Sequence, residues 1–291
     1  MGAIEEKMIF LIGKGFLGEK LVSVFRKKGI KIVTADIAGK VDYSLDITDE
    51  QSLIYLFKDL NPDIVLLTAG ITSVDFCEAH KIQATEVNFE GTRNVVDACR
   101  AFNSKLVFFS TDYVFDGIKG NYTENDKTNP INFYGKTKVQ GEELVKGTDS
   151  FLIARVSLLY GFNSIEDKNT FVCYAIEQLK NHKEVLVANI TNSPTLIDDA
   201  AEAVYFMLEK NFSGLFHVAG SESCSRYDLL MKICRVFELD SSLVKQAVGV
   251  PGWKAKRPVD SSLDITKIQL QGIKMSSVEE GLIKVKKQMN L

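Results

Sequence analysis

Tyr134 and Lys138 stand four residues apart in FYGKTKVQGEELV, just after the strand-like LVFFSTDYVF and a polar loop. On a helix this spacing places a phenol and an ammonium on one face, where the pair can protonate a ketone. A free phenol, with a pKa of about 10, is a weak acid for that task. An adjacent ammonium stabilises the phenolate and draws the pKa toward working pH. With nine Tyr in 291 residues, chance alone supplies about one such pair, so its meaning depends on what surrounds it. Ser110-Thr111-Asp112 closes the preceding apolar run. Thr111 can hydrogen-bond a carbonyl and orient it, and Asp112 is a further candidate substrate contact; the same two residues would also serve as a strand-end cap.

Upstream, Gly13-Lys14-Gly15-Phe16-Leu17-Gly18 follows the first apolar run and opens an amphipathic stretch. This is the context a dinucleotide fingerprint requires: glycines for a tight turn and close backbone approach, and free helix N–H groups for a pyrophosphate. Asp36 ends the second run, 18 residues after Gly18, where a carboxylate accepts from ribose hydroxyls and repels a 2′-phosphate. This favours NAD(H), with NADP(H) left open because Lys14 or Lys40 can counter a phosphate. Asp46-Ile47 is placed to cap and flank the adenine, and Thr68-Ala69-Gly70 to let the cofactor lie against the sheet.

The elements that must position these residues are legible as alternation. Apolar runs at 8–13, 30–36, 63–69, 105–111 and 151–160 alternate with helical stretches at 16–28, 49–60, 79–102 and 134–146. Runs lacking polar alternation suit strands buried on both faces. The expected fold is therefore α/β, a doubly wound, Rossmann-like parallel sheet. After Gly161 the pattern loosens, with helices expected at 170–181, 198–210, 226–237 and 276–288 and loops such as 192–195 and 250–262. We read residues 1–160 as a dinucleotide-binding domain and 161–291 as a smaller mixed substrate lobe interleaved with it.

The composition is that of a soluble globular chain, with 45% apolar and 25% charged residues. A net charge of −3 offers no broad attraction to phosphate backbones, so the expected partner is a small molecule and not nucleic acid. Cys77, Cys99, Cys173, Cys224 and Cys234 are odd in number and lack CxxC spacing, which suits reduced thiols. No apolar run reaches a membrane span and the N-terminal segment lacks a basic leader, so no membrane association is expected and the expected compartment is the cytoplasm. His80, His182 and His217 have no spacing for a metal or a triad, and no metal is expected.

STDYVFDG (110–117), YGKTKVQGEE (134–143), SPT (193–195) and RPVDSSLD (257–264), with TAGITSVDFCEAH (68–80) and VNFEGTRNVVDACR (87–100), resemble the dTDP-4-dehydrorhamnose reductases of the extended short-chain dehydrogenase/reductase superfamily. The resemblance spans nearly the whole chain. It implies Thr111, Tyr134 and Lys138 acting together on a 4-keto group of a nucleotide-linked deoxysugar, with Lys138 also holding the nicotinamide ribose, for polysaccharide biosynthesis. A homodimer is compatible with this reading. Most relatives place two residues between the first two fingerprint glycines, where this chain has only Lys14. The family's substrate-side Trp, in a segment resembling RTSWVY, gives way here to Leu158 within Arg155–Tyr160. Arg257, whose fork suits phosphate oxygens, is the candidate for the diphosphate, and Trp253 is read as packing. The alternatives are a nucleotide-sugar epimerase or dehydratase that retains NAD, and a regulatory subunit similar to methionine adenosyltransferase β.

Overall fold

The computed structural model describes residues 4–163, 170–247 and 252–290. The start of the N-terminal segment and of the 250–262 loop therefore lie outside the described residues.

The first half alternates as the apolar runs require. β1 (Ile9–Ile12), β2 (Ile32–Asp36), the short β3 (Tyr43–Ser44) and β4 (Ile64–Leu67) are joined through α1 (Phe16–Lys27) and α2 (Glu50–Leu60). Next come α3 (Val74–Ala79), α4 (Lys81–Thr85), a π-helical stretch at Glu86–Gly91 and α5 (Thr92–Ala101). β5 (Lys105–Thr111), α6 (Phe133–Lys146) and β6 (Phe151–Val156) follow. The remainder comprises β7 (Leu159–Tyr160), α7 (Phe171–Lys180), β8 (Val185–Ala188), β9 (Thr191–Asn192), β10 (Thr195–Leu196) and α8 (Ile197–Glu209), then β11 (Gly214–His217), β12 (Cys224–Ser225), α9 (Arg226–Phe237), β13 (Val244–Ala247), α10 (Thr266–Gln269) and α11 (Val278–Gln288).

Seven strands form one parallel sheet in the order β11-β6-β5-β4-β1-β2-β3. Every residue of β1, β4 and β5 is buried, which explains runs without polar alternation: helices cover both faces. α1 and α8 pack on one face, and α2 and α5 on the other. A third apolar cluster, drawn from α7, α9 and α11, forms the core of the smaller lobe. β11 and α8 come from the second half of the chain yet join the sheet layers, so the two halves are woven together. Strand order reverses between β1 and β4, and a doubly wound sheet opens its ligand crevice beyond the carboxyl ends at such a point. Among the described residues no helix is long and apolar enough to cross a membrane.

Two expected elements are divided. The 79–102 helix breaks at His80 and widens into the π stretch, where buried Asn88 turns its side chain out to Ile71. The 151–160 strand ends at Val156, because Leu158 takes φ +36° and sends β7 to pair with β10 instead.

Candidate active site

At the switch point the fingerprint glycines do three different things. Gly13 has φ +100°, and a Cβ there would overlap the backbone of Ala69. A Cβ on Gly18 would overlap the Gly13 carbonyl, so α1 can approach β1 only with glycine at this position. Around Gly15 nothing lies within 4 Å of a Cβ position. Gly15 is also the N-cap of α1 and no side chain caps it, so the helix N-terminus faces open space, as an anion site needs. Asp36 is drawn to this loop: the Lys14 N–H donates to its Oδ2 at 2.5 Å and the Ile37 N–H to its Oδ1 at 2.7 Å. On the other side, Thr68 Oγ1 donates to the carbonyls of Ile12 and Gly13, and the Ala69 N–H donates to Ile12 at 2.9 Å. Together these form a glycine-lined cradle with a strand-end carboxylate, which fits the adenosine diphosphate half of a dinucleotide.

A cleft of about 960 Å³ runs from this cradle to the end of β5. Gly15, Phe16, Leu17, Gly18, Thr68 and Gly70 line one end, and Thr111, Tyr134 and Leu158 the other. α6 delivers Tyr134 in its first turn, and Asn132 caps that turn by accepting from the Gly135 N–H at 2.8 Å. Burial, then the charge of Asp112, push the Tyr134 phenol above its ordinary value, while hydrogen bonding with Thr111 acts the other way. The phenol is thus held protonated, the form a proton donor requires. One turn on, the Lys138 ammonium lies 4.1 Å from the centre of the Phe108 ring. Burial lowers Lys138 to about 8, opposed by the negative charge of Glu142. In the resting site burial and the charge of Asp112 outweigh any tuning of the phenol by Lys138.

Other candidates are engaged with partners inside the protein. Asp46 is an exposed turn residue whose Oδ1 accepts from the Thr48 N–H and hydroxyl at 2.9 and 2.8 Å. Ile47 is buried, with its side chain packed against Gly91. Asp112 is buried and saturated: its Oδ2 accepts from Ser157, Asn192 and Ser261 at 3.0, 2.9 and 2.5 Å, and its Oδ1 from Thr111 at 3.1 Å. It clamps the end of β5 to the lobe. Arg257 is spent on Asp75, with Nη1 and Nη2 donating to its two oxygens at 2.8 and 2.6 Å. Arg257 also stacks 4.6 Å from the Trp253 ring. A guanidinium already forked onto a carboxylate is not a free diphosphate ligand.

The structure adds residues that sequence reasoning passed over. Asn88 bonds both polar atoms of Ile71 and reaches the Thr137 hydroxyl of α6 at 3.3 Å, tying the cofactor edge to the catalytic helix. Tyr113 lies edge-on to Tyr134 with ring centres 6.5 Å apart. Arg226, at the start of α9, donates to Asn192 at 3.0 Å and stacks over Phe171, which lines the cleft. Asn88 and Tyr113 lie in segments quoted above for the resemblance, but their partners do not show in the sequence: only the bulged helix places Asn88, and only the lobe's docking places Arg226. Leu158 keeps its cleft position in a backbone conformation that costs a branched-chain residue energy. Among the described residues no group of three His, Cys, Asp or Glu can hold a metal.

Fold and cleft define a dinucleotide-binding oxidoreductase scaffold, with Thr111 and Tyr134 lining the end of the cleft away from the glycine loop. The chain belongs to the family described as the RmlD substrate binding domain, whose model matches residues 7–291. It is 32% identical to the dTDP-4-dehydrorhamnose reductase of Aggregatibacter actinomycetemcomitans over 88% of this chain and 89% of that one. It is 29% identical to methionine adenosyltransferase 2 subunit beta of Rattus norvegicus over 79% of this chain and 71% of the relative. Among solved structures, the dTDP-4-dehydrorhamnose reductase of Bacillus anthracis in complex with NADP superposes with a TM-score of 0.89 at 30% identity, covering 97% and 99% of the two chains.

Proposed function

We propose that this protein reduces the 4-keto group of a nucleotide-linked deoxysugar with NAD(P)H, in the cytoplasm, as the dTDP-4-dehydrorhamnose reductases it resembles do by name. The observation that carries this reading is a single cleft lined at one end by Gly15–Gly18 and at the other by Thr111 and Tyr134. The Gly15–Gly18 backbone and Asp36 would hold the dinucleotide, which when bound supplies hydride to the carbonyl carbon. Thr111 orients the carbonyl oxygen, and Tyr134 gives that oxygen its phenolic proton, so the ketone becomes a hydroxyl and the tyrosine a phenolate. Lys138 stabilises the phenolate until solvent returns a proton.

NAD(H) is the preferred form in this reading. The carboxylate of Asp36 faces the loop mouth, and the neighbouring Ile37 is exposed and uncharged. The Lys14 ammonium is held by the Lys40 carbonyl at 2.5 Å and by Glu19 at 3.2 Å, so it does not wait for a 2′-phosphate. A screen of NADH and NADPH oxidation over nucleotide-linked 4-ketosugars tests the function. Tyr134→Phe should keep cofactor binding and lose about a hundredfold in turnover, the usual scale of a lost general acid. Unchanged turnover would remove Tyr134 from the mechanism.

A further inference from the structure

Behind the Tyr134–Lys138 face of α6, a second polar cluster is sealed from solvent. Glu142, one turn after Lys138, is 0% exposed, Arg155 on β6 is 2% exposed and His217 on β11 is 0% exposed. Arg155 Nε and Nη2 donate to the two oxygens of Glu142 at 2.8 and 2.7 Å, and Ser110 Oγ donates to Glu142 Oε1 at 2.6 Å. Arg155 Nη1 lies 3.4 Å from His217 Nε2, while His217 Nδ1 lies 3.0 Å from the Asp264 carbonyl. Nδ1 therefore carries the ring proton and Nε2 accepts from the guanidinium.

Burying an ion pair is a poor route to stability, because apolar residues of similar volume often do as well or better. The reason for this one is sought in what it touches. Ser110 lines the cleft and immediately precedes Thr111. On the helix, Lys138 and Glu142 are i and i+4 neighbours. The groups facing the Lys138 amine are Glu142 from its own helix, the Cys77 thiol from α3 and the Phe108 ring from β5, while Arg155 from β6 is engaged by Glu142 and His217.

We propose that Glu142 is a positioning residue for the reduction: it keeps Lys138 an ammonium and, through Ser110, fixes the strand end that presents Thr111. This rests on the reductase reading above. Glu142 is the only negative oxygen in that set, and a thiol and a ring cannot replace its charge. Without it the buried amine, already lowered to about 8, would lose its proton within the working range and the phenolate would lose its counter-charge.

The test follows the amine directly, by carbon-13 NMR of the full chain labelled at lysine Cε, with the Lys138 signal assigned from Lys138→Arg, beside the pH dependence of kcat. Glu142→Gln keeps the shape and can still partner Ser110. It should lower the Lys138 titration by about one pH unit, the scale of losing one nearby opposite charge, and the alkaline limb of kcat should move with it. Should Glu142→Gln fail to fold, Glu142→Leu with Arg155→Met replaces the pair by apolar side chains, and a smaller downward shift is expected, because the Arg155 cation leaves together with the carboxylate that lies nearer the amine. A folded variant of either kind with an unmoved Lys138 titration overturns the proposal. Because the NMR needs no substrate, a shifted titration in a chain inactive on every ketosugar would sink the reductase reading and leave the charge-holding role of Glu142 supported.

Discussion

Gly15→Ala separates binding from folding, because the structure gives this glycine a different task from its two neighbours in the fingerprint. Its backbone sits at φ −76° in the extended region, which alanine adopts without strain, and no atom lies within 4 Å of the added methyl. Restricting the unfolded chain stabilises the folded state by about 0.4–1 kcal/mol, while alanine is a poorer helix N-cap than glycine by roughly the same amount. The net change in stability should stay within about 0.5 kcal/mol. The methyl nevertheless occupies the space through which a pyrophosphate reaches the α1 N–H groups, so NADH affinity should fall at least tenfold, about 1.4 kcal/mol. Gly18→Ala, whose methyl would overlap the Gly13 carbonyl, should lose stability as well as binding. Thermal unfolding and NADH fluorescence titration of both variants read the contrast. Wild-type NADH affinity in Gly15→Ala would refute the placement of the diphosphate at this loop.

Two further outcomes follow from the charges. Asp75, held at about 2 against an ordinary 3.8 by Arg257, contributes stability that is complete above about pH 5 and lost as the pH falls through about 2. Full linkage would be about 2 kcal/mol, and solvent screening of this partly exposed carboxyl reduces it to about 1. Asp75→Asn should flatten the acid limb of urea-unfolding stability, and an unchanged slope would contradict the pairing. For the cofactor, NADH should bind at least about tenfold more tightly than NADPH, and Asp36→Ser should narrow the gap, since removing a carboxylate lifts the repulsion of a 2′-phosphate. A wild-type preference for NADPH would refute the role given to Asp36.

The parts of this fold that declare themselves in the sequence are the locally encoded ones. Buried parallel strands must be apolar on both faces, and so β1, β4 and β5 stand out as uninterrupted runs. Gly13, Gly15 and Gly18 sit where a strand becomes a helix, and Tyr134 and Lys138 follow a cap at Asn132. What stays hidden depends on partners far along the chain. Arg257 reads as a free phosphate-binding fork until the fold brings Asp75 to it, 182 residues away. Asp112 reads as a cleft carboxylate until Ser157, Asn192 and Ser261 arrive from three segments of the second half and consume it. The turn at Leu158 escapes pattern reading because a branched side chain is not a signal for positive φ, and β11 escapes because its place at the sheet edge is set by topology.

The central claim is that hydride and proton meet on one ketone in the cleft between Gly15 and Tyr134. NADH carrying deuterium at the transferable position of the nicotinamide, incubated with this protein and a dTDP-linked 4-ketosugar, tests it most directly. The account predicts one deuterium on C4 of the resulting hydroxysugar with the wild-type chain, and label reduced about a hundredfold with Tyr134→Phe. Ketosugar recovered unlabelled, with NADH bound but not consumed, would contradict it.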